Sequence, residues 1–232
     1  MKRGKRYQEA LKCLEPGKVY SLQEAIATLK KYPKPKFDET VEISFKLGVN
    51  PEAPGQMVRG TVGLPHGSGK KVRVIVFAKG EVARLAELAG ADAVGAEELI
   101  AKVEQGWADF DVAVAHPELM RELAKLGRVL GPKGLMPNPK TGTVTPDVAK
   151  AVKELKAGRL EFKTDKQAGI HVGVGKISFD EESLIANARA VIDAVTAARP
   201  AAAKGIYLES VALATTMGPG VELDAGPWRE QA

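Results

Sequence analysis

The stretch Thr40-Val41-Glu42-Ile43-Ser44-Phe45-Lys46-Leu47 alternates polar and apolar side chains at every position. Alternation with a period of two predicts a β-strand that has one buried and one solvent-exposed face. The predicted exposed face carries two hydroxyls, a carboxylate and an ammonium group, from Thr40, Glu42, Ser44 and Lys46. Residues 58–64 predict a second strand, weakened by Gly60 and Gly63. We expect this second strand to be an antiparallel neighbour of the first.

The sequence on both sides of this region predicts helices and further alternating strands. Ser21 with Glu24 three residues later is the pattern of a capping box, and Pro33 ends the helix that follows. After the middle of the chain, alternation returns and a long amphipathic helix follows. The predicted elements are helices over 6–14, 22–31 and 181–198 and strands over 160–165, 170–174 and 206–214.

The middle of the chain has a different pattern. Val72–Ala78 and Phe110–Ala115 are continuous apolar runs, which are typical of strands buried on both faces. Helical segments of about ten residues alternate with them, which favours βαβ units and a parallel sheet. The glycine- and proline-rich stretch Val129–Thr145 is predicted to be a loop.

These patterns favour an α+β domain built from both ends of the chain, with an α/β domain inserted into it. The chain would cross between the two domains near residues 66–70 and 157–160. Glycine is present at both crossings and permits the dihedral changes that a hinge needs. A single three-layer domain is the alternative.

Charge is concentrated near the N-terminus. The 232 residues carry a formal net charge of +5, and residues 1–68 hold 12 Lys and Arg against 7 Asp and Glu. This distribution is expected where one surface meets polyphosphate, although a basic tail can also simply aid solubility. The only cysteine is Cys13, so no intrachain disulfide can form, and we expect a reduced, cytoplasmic setting. No apolar run is long enough to predict a transmembrane helix.

A nucleotide-using α/β enzyme is the alternative from another functional class. Gly67-Ser68-Gly69-Lys70 resembles part of a phosphate-binding loop, but Leu64 stands where that motif needs its first glycine. The residue after the lysine is Lys71 instead of Ser or Thr. The carboxylates of Asp109 and Asp111 have no visible catalytic partner, so we interpret them as marking a strand entry. We expect no enzymatic activity, metal or cofactor.

Two further motifs are unusual. The stretch 131–144, Gly-Pro-Lys-Gly-Leu-Met-Pro-Asn-Pro-Lys-Thr-Gly-Thr-Val, contains three prolines, three glycines, Lys133 and Lys140, and no acidic residue. A stiff cationic loop suits a secondary contact with phosphates, and a purely structural loop is equally consistent with the composition. Thr215-Thr216-Met217-Gly218-Pro219-Gly220 offers hydroxyls beside small residues, which suits close approach to a ribose edge or an ordinary polar turn.

At these two motifs the chain resembles the bacterial large-subunit ribosomal protein L-one family, the protein of the mobile stalk near the tRNA exit site. Leu64-Pro65-His66-Gly67 and Lys36–Glu42 also resemble that family, and the resemblance covers about residues 1–224. It implies a mixed α/β fold of two domains. A terminal α+β RNA-binding domain would comprise 1–67 and 159–232, and a Rossmann-like domain would comprise 68–158, with Gly67, Gly69 and Gly158 as hinge.

The resemblance also implies a function. Family members bind 23S rRNA at the stalk, which swings as deacylated tRNA leaves, and they repress translation of their own operon mRNA. A dedicated messenger repressor, using the same surface, is the nearest alternative. Partners would be 23S rRNA, exit-site tRNA and operon mRNA, with no membrane, and we expect a cytoplasmic protein of the ribosome that is a monomer when free. Transferred by position, the RNA-binding residues would be Lys36, Phe37, Thr40, Glu42, Ser44, Lys46, His171, Ser210, Thr216, Met217 and Gly218. Residues 225–232 lie beyond the resemblance and are expected to be mobile.

Overall fold

The structure is a computed structural model that describes residues 3–53, 55–203 and 205–229. It confirms the predicted fold class, which is mixed α/β with two domains. One compact unit contains the residues up to Gly69 together with those from Leu160 onward, and the other is Lys70–Arg159. We call them the terminal unit and the insert.

The terminal unit is built from both ends of the chain around one hydrophobic core. Its helices are α1 Lys5–Lys12, α2 Leu22–Lys30, α8 Glu181–Ala197 and α9 Gly226–Arg229. Its strands are β1 Thr40–Leu47, β2 Arg59–Gly63, β6 Arg159–Lys163, β7 Gly169–Lys176, β8 Leu208–Thr215 and β9 Val221–Leu223.

A four-stranded sheet in the order β7-β1-β8-β9 is the main element of the terminal unit. Strand β1 has the bounds predicted from its alternating pattern and pairs antiparallel with both β7 and β8. One face of the sheet packs against α2 and α8, whose apolar side chains share its core. The capping box predicted at Ser21 is present: its hydroxyl accepts from the amide of Glu24 at 3.3 Å, and the glutamate carboxylate accepts from the Ser21 amide.

The expected pairing of β1 with β2 is wrong. Strand β2 instead pairs with β6 in a separate two-stranded sheet. Both edges of β1 are already paired, with β7 and with β8, and Gly60 of β2 instead lies against Phe162 on β6, where a Cβ atom would be 2.6 Å from the ring. The phenyl ring therefore occupies the space above the glycine. Alternation predicted which face of each strand is buried, but it carried no information about which strand lies beside it.

The insert is a three-layer α/β unit. Its parallel sheet has the order β4-β3-β5, and its alternating apolar side chains are buried on both faces. Val74 and Val76 pack on one side with α3 and α7, while Ile75 and Phe77 pack on the other with α4. The strands are β3 Val74–Phe77, β4 Ala93–Gly95 and β5 Val112–Ala115. The helices are α3 Gly80–Leu88, α4 Glu97–Glu104, α5 Met120–Leu123, α6 Gly127–Lys133 and α7 Val148–Ala157.

The predicted loop over 129–145 begins later than expected. Helix α6 continues to Lys133 because the side chain of Leu130 is fully buried in the insert core. Gly134 then ends the helix with a left-handed conformation at φ +70°, which glycine adopts without steric cost. Residues 117–126 are one of the helical segments of about ten residues that the sequence predicts in the insert, but they form a series of short 3₁₀ and α turns.

The described part of the last eight residues also differs from expectation. Residues Gly226–Arg229 form a helical turn, and Ala225 before them is buried in the terminal core. The guanidinium of Arg229 donates to the carbonyls of Leu208, at 2.8 Å, and Glu209. These contacts fasten the turn to the start of β8.

Candidate nucleic-acid interface

The face of the sheet opposite α2 and α8 carries the polar side chains of β1. The apolar residues of this strand are buried, while Glu42 and Lys46 are exposed and Thr40 and Ser44 are half-buried. The alternation predicted from sequence is therefore present, and all four predicted side chains lie on one open face.

The two neighbouring strands continue this face on either side of β1. Ser44 lies between His171 of β7 and Ala212 of β8, and Lys46 lies between Gly169 and Ser210. Glu42 lies between Gly173 and Ala214. The sheet and the turn that follows β8 thus bring together predicted residues that are up to 176 positions apart in sequence. We call this surface the open sheet face.

Small residues make the open sheet face shallow on both sides of Glu42. Glycine at 173 and alanine at 214 leave its carboxylate without a bulky cross-strand neighbour. Within the described residues it takes part in no ion pair. An exposed carboxylate of this kind accepts hydrogen bonds from a ribose 2′-hydroxyl or a base amino group.

Ser44, His171 and Asp165 form a polar chain across the open sheet face. The serine hydroxyl and the histidine Nδ1 are 3.0 Å apart, and the histidine Nε2 is 3.9 Å from an Asp165 carboxylate oxygen. The carboxylate accepts from the amides of Gly169 at 2.7 Å and Gln167 at 2.8 Å. These amide donors, with the Gly169 amide contributing most, lower the pKa of Asp165 below its ordinary value.

Lys46 is tied to the same turn. Its ammonium group donates to the carbonyl of Gln167. Because Asp165 organises this turn, it orients both Lys46 and His171. Asp165 and Gln167 were not among the predicted site residues, although an aspartate two residues before a turn amide is a recognisable turn signal.

The other end of β1 is joined to the 215–220 turn. Thr216 uses its hydroxyl to accept from the amide of Thr40 at 3.0 Å and to donate to its carbonyl at 3.3 Å. The hydroxyl of Thr40 in turn accepts from the ammonium group of Lys176 at 2.9 Å. Lys176 was not predicted as part of the site.

Two apolar side chains flank this end of the open sheet face. Met217 is 53% exposed and Phe37 is 51% exposed, and Lys36, which precedes Phe37 in sequence, is exposed as well. Gly218 lies against the ring of Tyr32, because a Cβ atom at Gly218 would be 2.9 Å from a ring carbon. Burial raises the pKa of the Tyr32 hydroxyl.

The motif 131–144 is held mainly by its own hydrogen bonds. The amide of Asn138 donates to the Thr143 hydroxyl at 2.8 Å, and the guanidinium of Arg159 lies where a Cβ atom of Gly142 would be. Lys133 is exposed at the end of α6. The side chain of Lys140 lies outside the described part of the structure. These contacts define the loop conformation, and its role as an RNA contact remains a prediction.

The three predicted hinge glycines all have left-handed conformations. Their φ angles are +70° at Gly67, +69° at Gly69 and +110° at Gly158. The carbonyl of Gly67 accepts from the fully buried Asn187 at 2.9 Å, and Gly158 is the C-terminal cap of α7. Each glycine is therefore required by local structure, and hinge motion at these positions remains a prediction.

Neither a metal site nor a membrane-spanning helix is found in the part of the chain that the structure describes. No three or more His, Cys, Asp or Glu side chains cluster there in a way that could hold a metal ion. None of its helices has the length and apolar character needed to cross a bilayer.

Comparison with known families agrees with the fold and with the signature motifs. The profile described as Ribosomal protein L1p/L10e family matches residues 29–219, which is most of the chain and includes β1, the insert and the 215–219 turn. This is a family of structural ribosomal proteins and not of enzymes, and its members bind rRNA. The chain belongs to the ribosomal protein L1p/L10e family and is an rRNA-binding protein of the large ribosomal subunit.

Proposed function

We propose that this protein binds 23S rRNA at the junction of the mobile stalk through the open sheet face, and that the stalk it occupies assists release of deacylated tRNA. The observation that carries the proposal is the juxtaposition of Glu42, Ser44 and Lys46 with His171 and Ser210 on one uncovered face. The exposed side chains of Phe37 and Met217 provide apolar contacts at its end.

The chemistry of this face suits folded RNA. An A-form helix displays its 2′-hydroxyls in a wide, shallow minor groove, and shallow protein surfaces with donors and acceptors fit that groove. Cationic groups contribute affinity, whereas neutral and acidic groups such as Ser44 and Glu42 distinguish correctly placed ribose and base edges from phosphate.

The polar side chains of the face are held before RNA arrives. Lys46 is bonded to the 165–169 turn, His171 to Ser44, and Thr40 to Lys176. Since immobilising a flexible side chain on binding costs about 0.5–1.5 kcal/mol, prior ordering of these groups favours affinity.

We further propose that the same face binds the operon mRNA and thereby represses its translation. A single surface holds one RNA at a time, so rRNA and mRNA would compete for it. If competition operates, an excess of stalk-junction RNA will displace labelled operon leader RNA, and Met217→Asp will weaken both complexes together. If neither RNA displaces the other, a shared site is contradicted.

A titration tests the rRNA proposal directly. The intact protein is titrated with a stalk-junction RNA and with a scrambled helix of equal length over a range of salt concentrations. Specific recognition predicts tighter binding of the junction RNA at every salt concentration, because phosphate attraction alone would treat both RNAs equally. Equal affinities would contradict the proposal.

The role in tRNA release has its own test. Ribosomes reconstituted with and without the protein are compared for the rate at which deacylated tRNA leaves after translocation. The proposal predicts slower release without the protein. Equal rates would remove this part of the proposal and leave rRNA binding intact.

A further inference from the structure

The segment Lys30–Lys36, which we call the basic segment, concentrates positive charge shortly before β1, with Asp38 and Glu39 between the segment and the strand. Four of its seven residues are lysines and none is acidic. Lys31, Lys34 and Lys36 are exposed, and within the described residues none of the four lysines forms an ion pair.

Some basic side chains of the insert form ion pairs with carboxylates. Carboxylates of the same unit neutralise Lys79, with Glu97 at 3.0 Å and Glu122 at 3.4 Å, and Lys156, with Asp92 at 3.1 Å. These lysines of the insert are neutralised within the protein, whereas among the described residues no carboxylate pairs with the lysines of the basic segment. Its charge remains available to an external anion.

Tyr32 places the basic segment beside the open sheet face. Its ring lies against Gly218, and its hydroxyl donates to the carbonyl of Pro219 at 3.4 Å. The tyrosine is 6% exposed, so the lysines on either side of it are anchored to the 215–219 turn. This turn also carries Met217, and the basic segment consequently borders the end of the open sheet face.

The helix dipole accounts for only part of this charge. Lys30 and Lys31 lie at the end of α2, where positive charge favours the helix. Lys34 and Lys36 follow the helix end and gain nothing from its dipole. Pro33 and Pro35 alternate with these lysines and restrict the backbone, which reduces the entropy lost when the lysines engage an anion.

We propose that Lys31 and Lys34 extend the interface beyond Lys36 as a phosphate-binding rim, which holds the sugar–phosphate backbone of the RNA where it passes the 215–219 turn. This inference rests on the proposed RNA-binding function of the open sheet face. A lysine ammonium is a point charge that contacts phosphate without reading base identity, so the rim contributes affinity and salt dependence but no sequence discrimination.

The test compares two double variants with the same change in charge. Lys31→Gln/Lys34→Gln removes the rim, and Lys150→Gln/Lys153→Gln removes two exposed lysines from α7 of the insert. Each protein is titrated with stalk-junction RNA and with a scrambled helix at several salt concentrations. Each phosphate contact contributes about 0.7–0.9 to the slope of log K against log salt.

The proposal predicts that the rim variant loses about 1.4–1.8 from this slope, because two phosphate contacts are removed. Its ratio of affinities for the two RNAs should stay at the wild-type value. The α7 variant keeps the wild-type slope. Lys31→Arg/Lys34→Arg retains the charge and restores the slope, which separates phosphate contact from any effect on folding. Thermal unfolding of each variant is measured in parallel.

The rim proposal is overturned if the slope of log K against log salt is unchanged in the rim variant. It is also overturned if the rim variant and the α7 variant lose the same amount from this slope. A change in the affinity ratio also overturns it, because it would assign the lysines to base or shape recognition. If the wild-type protein fails to prefer the junction RNA, the proposed function itself is contradicted. The two failures are therefore distinguishable.

Discussion

The side chain of Thr216 pairs with the backbone of Thr40 at both of its hydrogen-bonding groups. The hydroxyl accepts from the Thr40 amide at 3.0 Å and donates to its carbonyl at 3.3 Å, while the Thr216 amide donates to the same carbonyl at 3.1 Å. A side chain thus continues the β1–β8 ladder beyond the last strand residue. This arrangement fixes the turn that carries Met217 against the first residue of β1.

Thr216→Val therefore removes a positioning contact as well as a hydroxyl. We expect a loss of about 0.5–1.5 kcal/mol of stability for each hydrogen bond and weaker binding of stalk-junction RNA. Thr216→Ser, which retains the hydroxyl, is the matched control and should keep both properties. Isothermal titration calorimetry measures the RNA affinity, and thermal unfolding measures the stability. Wild-type affinity in the valine variant would remove this turn from the interface.

Met217→Asp tests the apolar contact at the end of the open sheet face. The side chain is 53% exposed, so we expect folding to be unaffected and RNA affinity to fall by at least tenfold, about 1.4 kcal/mol, because a carboxylate would face phosphate. Met57 is 52% exposed and lies just before β2, which makes Met57→Asp the matched control. Equal loss in both variants would indicate a general charge effect.

Asp165 links pH to the stability of the face. Its pKa is lowered below the ordinary 3.8, chiefly by the Gly169 amide and then by the Gln167 amide. A carboxyl with a depressed pKa stabilises the folded state above its unfolded pKa, and this stabilisation is lost as pH falls through the folded pKa. We expect Asp165→Asn to lower the melting temperature at neutral pH and to flatten its decline below about pH 4. Parallel decline of both proteins in acid would contradict this role.

The insert should be dispensable for recognition by the open sheet face. All eleven residues predicted for that interface belong to the terminal unit, which has its own core. Replacing residues 70–159 by a short glycine–serine linker should therefore leave a folded protein that prefers junction RNA. Circular dichroism checks the fold, and the titration described above checks binding. A folded deletion variant that binds neither RNA would make the insert the primary site.

The sequence predicted features that depend on neighbouring residues, and it failed for features that depend on contacts between residues far apart in the chain. Eight alternating residues were sufficient to predict the bounds and faces of β1, because the pattern is local. The pairing of β2 was predicted wrongly, since it depends on Gly60 meeting Phe162, about a hundred positions away. Pro132 suggested a loop, yet burial of Leu130 keeps that segment helical.

The same distinction applies to the candidate interface. Alternation and motif resemblance predicted the side chains that reach the open sheet face. They did not predict the residues that hold those side chains, such as Tyr32 beneath Gly218 or Asp165 beside His171. These supporting residues act through tertiary contacts that no local pattern reports.

Asn187 provides a test of how the crossing near Gly67 is held. Its amide group is fully buried, donates to the carbonyls of Gly67 at 2.9 Å and Val174 at 2.7 Å, and accepts from the His66 amide at 3.0 Å. Asn187→Leu has similar volume but leaves these backbone groups unpaired, at about 1–3 kcal/mol for each buried group. We expect strong destabilisation of the terminal unit. Asn187→Asp keeps the acceptor for the His66 amide but places a buried carboxylate against the carbonyls of Gly67 and Val174, so we expect it to destabilise the unit at neutral pH at least as strongly as leucine does. Hydrogen exchange resolves the effect by unit: protection should fall in β7 and α8 and persist in β3 and β5 of the insert. If exchange in the terminal unit is unchanged, the crossing is held by contacts other than those of Asn187.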